Sequence, residues 1–279
     1  MTSAPSTQRE PVAIVRPGSL AAAWSDVVAG ARRWRVWTFL GWRDIAGRYQ
    51  RSFIGPLWLT ITTAIFLTAI GIVYSRLFGQ NVDDYLPYLA AGVIVWLYLT
   101  AVLTELATAY TSSIHFVLNL PGPKSVYPYR VLLRNVIVLA HNLPVWVVVA
   151  VVFGVPVTPA TLLVVPGLLI ATASVFFAGV ALAVVSAKVR DLPVVLASVL
   201  QVLFFVTPVM WSASLLPADA HVVLALNPFV PLLDVVREPL LGQAPDAGTW
   251  LGSLFVLGCC VVLGVIVFAR YRRRLAFWL

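Results

Sequence analysis

The sequence predicts an all-α membrane protein. It has six transmembrane helices, an N-terminal interfacial amphipathic helix before them, and a re-entrant helix pair between spans five and six. Three observations predict this. Of the 279 residues, 61% are hydrophobic and only 11% are charged, against roughly 25% charged in a soluble domain. Apolar runs of spanning length recur along the chain. One further apolar run, His221 to Leu233, is too short to cross. Asn227-Pro228 breaks it in two, and Asp234, Arg237 and Glu238 follow. Irregular backbone at membrane depth is tolerated only where it is buried in protein or lines a water-filled path. A path is therefore the first functional expectation.

The elements follow in order. Residues 1–30 read as a cytoplasmic disordered tail. They hold no apolar h-region before a small-residue cleavage site, so the first span is expected to act as the signal. Residues 31–56 carry Arg32, Arg33, Arg35, Arg43, Arg48 and Arg51 beside Trp34, Trp37, Phe39, Trp42, Tyr49 and Phe53. Basic and aromatic residues on one helix describe an element lying in the membrane interface. Asp44 and Arg48 stand at i,i+4 with the acid first, the better order for a helix pair.

Residues 57–279 read as one six-helix membrane domain. The first span is Leu57–Tyr74, and the second runs from Tyr85 to Tyr110. A turn-rich loop, 111–130, leads to the third at Val131–Phe153 and the fourth at Thr161–Ala187. No charge lies between Asn135 and Ala187; a single helix of that length would overshoot a ~30 Å core, so the turn at 154–159 must join two spans. The fifth span is Leu192–Trp211 and the sixth Trp250–Ala269.

With six spans, all but Arg76 and Arg237 of the 19 Lys and Arg fall on the side of the two termini. By the positive-inside rule both termini are cytoplasmic, in a multi-pass membrane protein. The formal net charge of +8 is then a topology signal and not a nucleic-acid footprint. No internal repeat is visible, which disfavours an inverted-repeat secondary transporter.

Chemistry is sparse. The two lysines follow Pro123 and Ala187, so no phosphate-binding loop exists, and no HExxH, GxSxG or CxxC is present. Cys259 and Cys260 are adjacent, and His115, His141 and His221 lie far apart. No metal site is expected. Glu105 is the one acid inside a span. Two readings stand for it: a relay or gating contact with Arg134 or His141, or a structural pair near the interface. The latter is favoured, because Glu105 lies close to the helix end.

The aromatics Trp58, Phe66 and Tyr74 on the first span, and Phe204, Phe205 and Trp211 on the fifth, also have two readings. They can be interface belt and core, or the lining of a sugar channel. Aromatic faces contact sugar C–H surfaces without fixing one geometry, so a polymer can slide along them. No H⁺ or Na⁺ relay is evident, so coupling must come from outside the chain through its intracellular loops.

At these residues the chain resembles a family. RDIAGRYQRSFIGPLW, Arg43 to Trp58, is similar to the opening signature of ABC transporter permeases that export polysaccharides, with Ile54 where Leu is usual. VRDLPVVLASVLQVLFFVTPVMW, Val189 to Trp211, resembles the second signature, followed by Asn227-Pro228. HFVLNLPGPKSVYPYR matches the family's loop pattern only loosely. The resemblance implies the permease of an O-antigen, teichoic-acid or galactan type exporter: a homodimer joined to two copies of an ABC ATP-binding subunit. ATP and Mg would bind that partner, and this chain would hold no cofactor and catalyse nothing.

The implied substrate is a lipid-linked glycan. Its pyrophosphate would meet Arg43, Arg48 and Arg51 beside Tyr49 at a cytoplasmic gate. The glycan would then pass between first and fifth spans. Asn227 and Pro228 would start the second helix of an outer gate. The ATPases would push on the 111–130 loop and the interfacial helix. A drug or small-lipid exporter of the same fold is the alternative. A membrane enzyme centred on Glu105 and the histidines is disfavoured by the lack of clustered polar residues.

Overall fold

The computed structural model describes residues 19–50, 53–55, 57–217 and 221–279. Every regular element among them is helical. Of the expected site residues, Arg51 lies outside the described residues.

Among the described residues five segments are long and apolar enough to cross a membrane. They contain α3 (Leu57–Leu77), α4 (Val82–Ala107), α6 (Val126–Val152), α7 (Val164–Lys188) and α11 (Ala247–Tyr271). The core is built around α4, which is buried along most of its length from Tyr85 to Ala107. It packs against α3, α6 and α7. Helix α7 packs most extensively against α11, where a Cβ at Gly264 would stand 2.5 Å from the Phe177 carbonyl oxygen. Only glycine permits that approach. Between α3 and α6 the Thr60 hydroxyl donates to the His141 carbonyl at 2.7 Å, and Thr63 donates to Asn142 Oδ1 at 3.1 Å. Buried polar groups in an apolar bundle need such partners.

Helix α8 (Leu192–Val206) is shorter than the span expected over Leu192–Trp211. Its 15 residues reach about 22 Å, against a ~30 Å hydrocarbon core. The cause is Pro208, which disfavours helical geometry in the residue before it. Thr207 accordingly turns to φ −80°, ψ 137°. Beyond it lie two short helices, α9 (His221–Leu226) and α10 (Phe229–Leu240). They part at Asn227-Pro228, as the sequence predicts, and α10 packs on α7, α11 and α4.

The basic end of the bundle differs from expectation in one respect. Residues 20–30, expected in the tail, belong to α1 (Leu20–Arg32). Ser19 caps this helix by accepting from the Ala22 N–H at 3.2 Å, and the Ala-rich first turn favours helix. Asp26 then holds α1 in place. Its carboxylate accepts the Lys124 and Ser125 backbone N–H groups at 3.3 and 3.1 Å, which puts a negative charge at the N-terminus of α6. Arg272 pairs with Asp26 at 3.2 Å and donates to the Ala22 carbonyl at 2.8 Å. These partners lie about 100 and 246 residues away, beyond any local sequence signal.

The basic, aromatic helix is α2 (Trp34–Tyr49). It buries only Gly41 and Ile45, lies against α6 and leaves Trp34, Phe39 and Trp42 exposed. The loop after α4 carries a short helix, α5 (Ile114–Asn119), with Phe116, Leu118 and Leu120 exposed. After α11, a short C-terminal helix, α12 (Leu275–Trp278), folds back against α7.

Candidate functional site

Three groups of side chains stand out, at the basic end, at mid-depth and at the far end.

At the basic end, α2, α4 and α6 meet in a network of ion pairs. Arg130 Nε and Nη2 donate to the two oxygens of Asp44 at 2.6 and 2.5 Å. Arg134 Nη1 also reaches Asp44, at 3.2 Å. The same Arg134 donates from Nε and Nη2 to Glu105 Oε2 at 2.9 and 2.6 Å, and Asn135 Nδ2 adds a bond to that oxygen at 2.7 Å. Arg48 reaches Glu105 Oε1 at 3.5 Å. Arg130 and Arg134 lie four residues apart and so share one face of α6, and both guanidinium groups can fork toward carboxylates.

The expected Asp44–Arg48 pair within α2 is not among the ion pairs formed; Asp44 turns to α6 and Arg48 to α4. Arg134 is the partner of Glu105, and His141 is not: its Nδ1 faces the Ile137 carbonyl at 2.8 Å. Arg43 is exposed and stacks over Phe39 at 5.8 Å, and Tyr49 is half-buried at the end of α2.

At mid-depth a groove of about 530 Å³ opens between α3, α4 and α8. Its aromatic lining is Phe66, Trp96, Phe204 and Phe205, and its polar lining is Thr100, Thr104 and Gln201. Trp96 lies 5.8 Å from Phe204, which lies 5.4 Å from Phe205. On α4, Trp96, Thr100 and Thr104 recur at i, i+4 and i+8 and so stack on one face. The groove stays open because α8 buries only Leu200.

The structure thus brings Phe66, Phe204 and Phe205 together and leaves three predicted aromatics out of this lining. Trp58 is exposed about two turns from Phe66. Tyr74 packs on Phe78 at 5.6 Å. Trp211 donates its indole N–H to the Phe205 carbonyl at 3.0 Å. An eight-residue spacing turns a helix by about 80° beyond two whole turns, so the two steps from Trp58 to Tyr74 add up to about 160° and do not hold one face. Trp96, Thr100, Thr104 and Gln201 were missed. Trp96, Thr100 and Thr104 do repeat every fourth residue, but α4 is apolar nearly all round, so the repeat did not single out a face.

At the far end, side chains gather on the chain just past α8. Arg237 Nη1 donates to the Pro208 carbonyl at 2.6 Å. Its guanidinium lies 4.2 Å from the Tyr88 ring centroid, and it pairs with Asp234. Asn227 Nδ2 donates to the Thr207 hydroxyl at 2.8 Å. Asn227 Oδ1 accepts the Phe229 N–H at 3.0 Å; the N-cap of α10 is Pro228, one residue later than expected, so Asn227 stands just outside the helix and not at its cap. Glu238, near the end of α10, has its carboxyl pushed up to about 7 by burial, with Asp234 and Asp246 adding to the rise.

The chain matches the family model described as ABC-2 type transporter over residues 35–241. It is similar to the O-antigen export system permease protein RfbA of Myxococcus xanthus, 24% identical over 193 residues, which cover 68% of this chain and 74% of that protein. Two proteins of the same name from Klebsiella pneumoniae are 21% and 18% identical over 238 residues, covering 84% of this chain and 91% of each relative.

Proposed function

The chain belongs to the ABC-2 type transporter family, and on that premise we propose that it is the permease of an ATP-driven exporter of a lipid-linked polysaccharide. The family implies an ABC ATP-binding partner, which supplies the hydrolysis. Two permeases and two ATPases form the working unit, with both termini cytoplasmic. The observation that carries the polysaccharide reading is the groove, in which four aromatic rings alternate with Thr100, Thr104 and Gln201. Apolar faces for sugar C–H surfaces and hydroxyl and amide groups for sugar hydroxyls stand side by side. The relatives are themselves named for O-antigen export.

In the assembled pair α8 faces the path with α3. Its 15-residue helix and the turn after it together make the fifth of six spans, and α9 and α10 dip back as the outer gate around Asn227-Pro228. At the cytoplasmic face Arg43, Arg48, Arg51 and Tyr49 receive the lipid pyrophosphate. Exposed Phe116, Leu118 and Leu120 on the 111–130 loop offer the ATPase an apolar handle, and the network of Asp44, Arg130, Arg134 and Glu105 transmits its push to α4. The polymer is of the O-antigen or galactan kind.

Depleting the protein in its own cells tests the reading. Lipid-linked glycan should accumulate on the inner leaflet, with its synthesis intact. Normal surface glycan together with lost drug or small-lipid efflux would instead point to the alternative cargo.

A further inference from the structure

Helices in lipid must satisfy their terminal carbonyls within the protein. Helix α8 ends early, and side chains from α4 and α10 take up carbonyls of the segment that follows it. Tyr88 donates to the carbonyls of Pro208 and Trp211 at 3.2 and 3.0 Å. Tyr85 donates to Met210 at 2.6 Å, and Arg237 donates to Pro208 from α10. Arg237 is only 5% exposed. A buried charge at this depth is expensive and marks function by default. Three partners meet it here: the Asp234 carboxylate, the Tyr88 ring face and the Pro208 carbonyl dipole. The fit is close on the other side too, since a Cβ at Gly92 would stand 2.8 Å from the Val209 carbonyl oxygen. The result is a rigid joint. It ties the end of α8, and with it Phe204 and Phe205, to α10 on one side and α4 on the other.

We propose that Arg237 and Tyr88 are positioning residues that clamp the end of α8 to α10 and α4, so that the outer mouth opens by movement of α8 and α10 as one unit and stays shut at rest. The inference rests on the exporter reading above. Without the joint, α8 is free to tilt by itself, because its own side chains bury almost nothing. The closed state then loses its main support while the groove residues remain intact.

The test uses the permease co-expressed with its ATP-binding subunit and reconstituted in vesicles without ATP. The readout is the leak of a small hydrophilic sugar per assembled transporter. This needs no glycan substrate, so it separates failure of the clamp from failure of the cargo assignment. Arg237→Gln should raise the leak about tenfold, as expected when a charge-assisted hydrogen bond favouring the closed state is lost. Arg237→Lys should fall between it and the parent, because it keeps the charge but not the planar fork.

A Thr207→Cys/Asn227→Cys disulfide, built where those side chains already touch and in a background lacking Cys259 and Cys260, should return Arg237→Gln to the parent leak. A reductant should undo the rescue. A merely structural Arg237 would lower the amount of assembled protein and leave the leak per transporter unchanged, and that outcome overturns the proposal. If Arg237→Gln does not assemble, Tyr88→Phe decides. It keeps the ring beneath the guanidinium and loses only the two carbonyl bonds. A leak equal to the parent's would then overturn the clamp.

Discussion

Arg134 places Nε and Nη2 on one oxygen of Glu105, at 2.9 and 2.6 Å. The one acid in the interior of the second predicted span is therefore spoken for, and its guanidinium partner is held in turn by Asp44 from the interfacial helix. A carboxylate with two guanidinium groups and an amide around it acts as a bolt between helices.

Glu105→Gln should accordingly lower stability and spare most transport. Asp44 still balances Arg134, and Glu105 retains some solvent contact, so the loss should be roughly 1–2 kcal/mol, well short of a fully buried broken pair. Thermal unfolding in detergent measures the first effect and surface glycan the second. Abolished export at normal protein level would restore a catalytic or relay role to Glu105.

Asp44 and Arg130 should be strongly coupled. A double-mutant cycle with Asp44→Ala and Arg130→Ala should give an interaction of about 1–3 kcal/mol, because the bidentate pair is only partly exposed. Hydrogen exchange should show α2 opening more often in Asp44→Ala, while α7 and α11, which it does not touch, keep their protection.

The groove makes a transport prediction. Trp96→Ala or Phe204→Ala should reduce export about two- to tenfold, in line with the ~0.5–1.5 kcal/mol of an aromatic contact beyond its area. Trp58→Ala, outside the groove, should be nearer the parent. The comparison needs equal amounts of assembled transporter, and the reverse ranking would move the path to the other face of α3.

Glu238 gives the protein a pH dependence of defined sign. Its folded carboxyl titrates at about 7 against an ordinary 4.5, so the folded state holds a proton that the unfolded chain has released. That contribution is complete below about pH 4.5 and is lost as the pH rises through about 7. Melting temperatures should fall over that window, and Glu238→Gln should flatten the fall. Asp234, raised by burial, and Asp246, lowered by the Thr249 N–H, remain in the variant and contribute to the residual slope.

Much of the fold was legible because burial in lipid writes long apolar runs. The five segments of spanning length, the interfacial helix and the break at Asn227-Pro228 all carry local signatures. What escaped was non-local. Ser19 marks a helix start, yet what secures α1 is Asp26 reaching Lys124, Ser125 and Arg272. Asp44 had a plausible partner four residues away and took Arg130 instead, since a desolvated fork on α6 is worth more than an exposed pair along α2. For the groove, the aromatics of α8 were readable from the sequence. The face of α4 opposite them was not, because α4 is apolar nearly all round and its threonines bond back to their own helix, as Thr100 does to Trp96 and Thr104 to Thr100.

The Asp26–Arg272 pair also sets a timetable. The two residues are separated by 246 positions, so at ~5–20 residues/s of synthesis the first helix leaves the ribosome ten seconds or more before its anchor exists. During that interval only Lys124 and Ser125 can hold the Asp26 carboxylate. Closure of Asp26 on Arg272 is therefore among the last contacts that the growing chain can make.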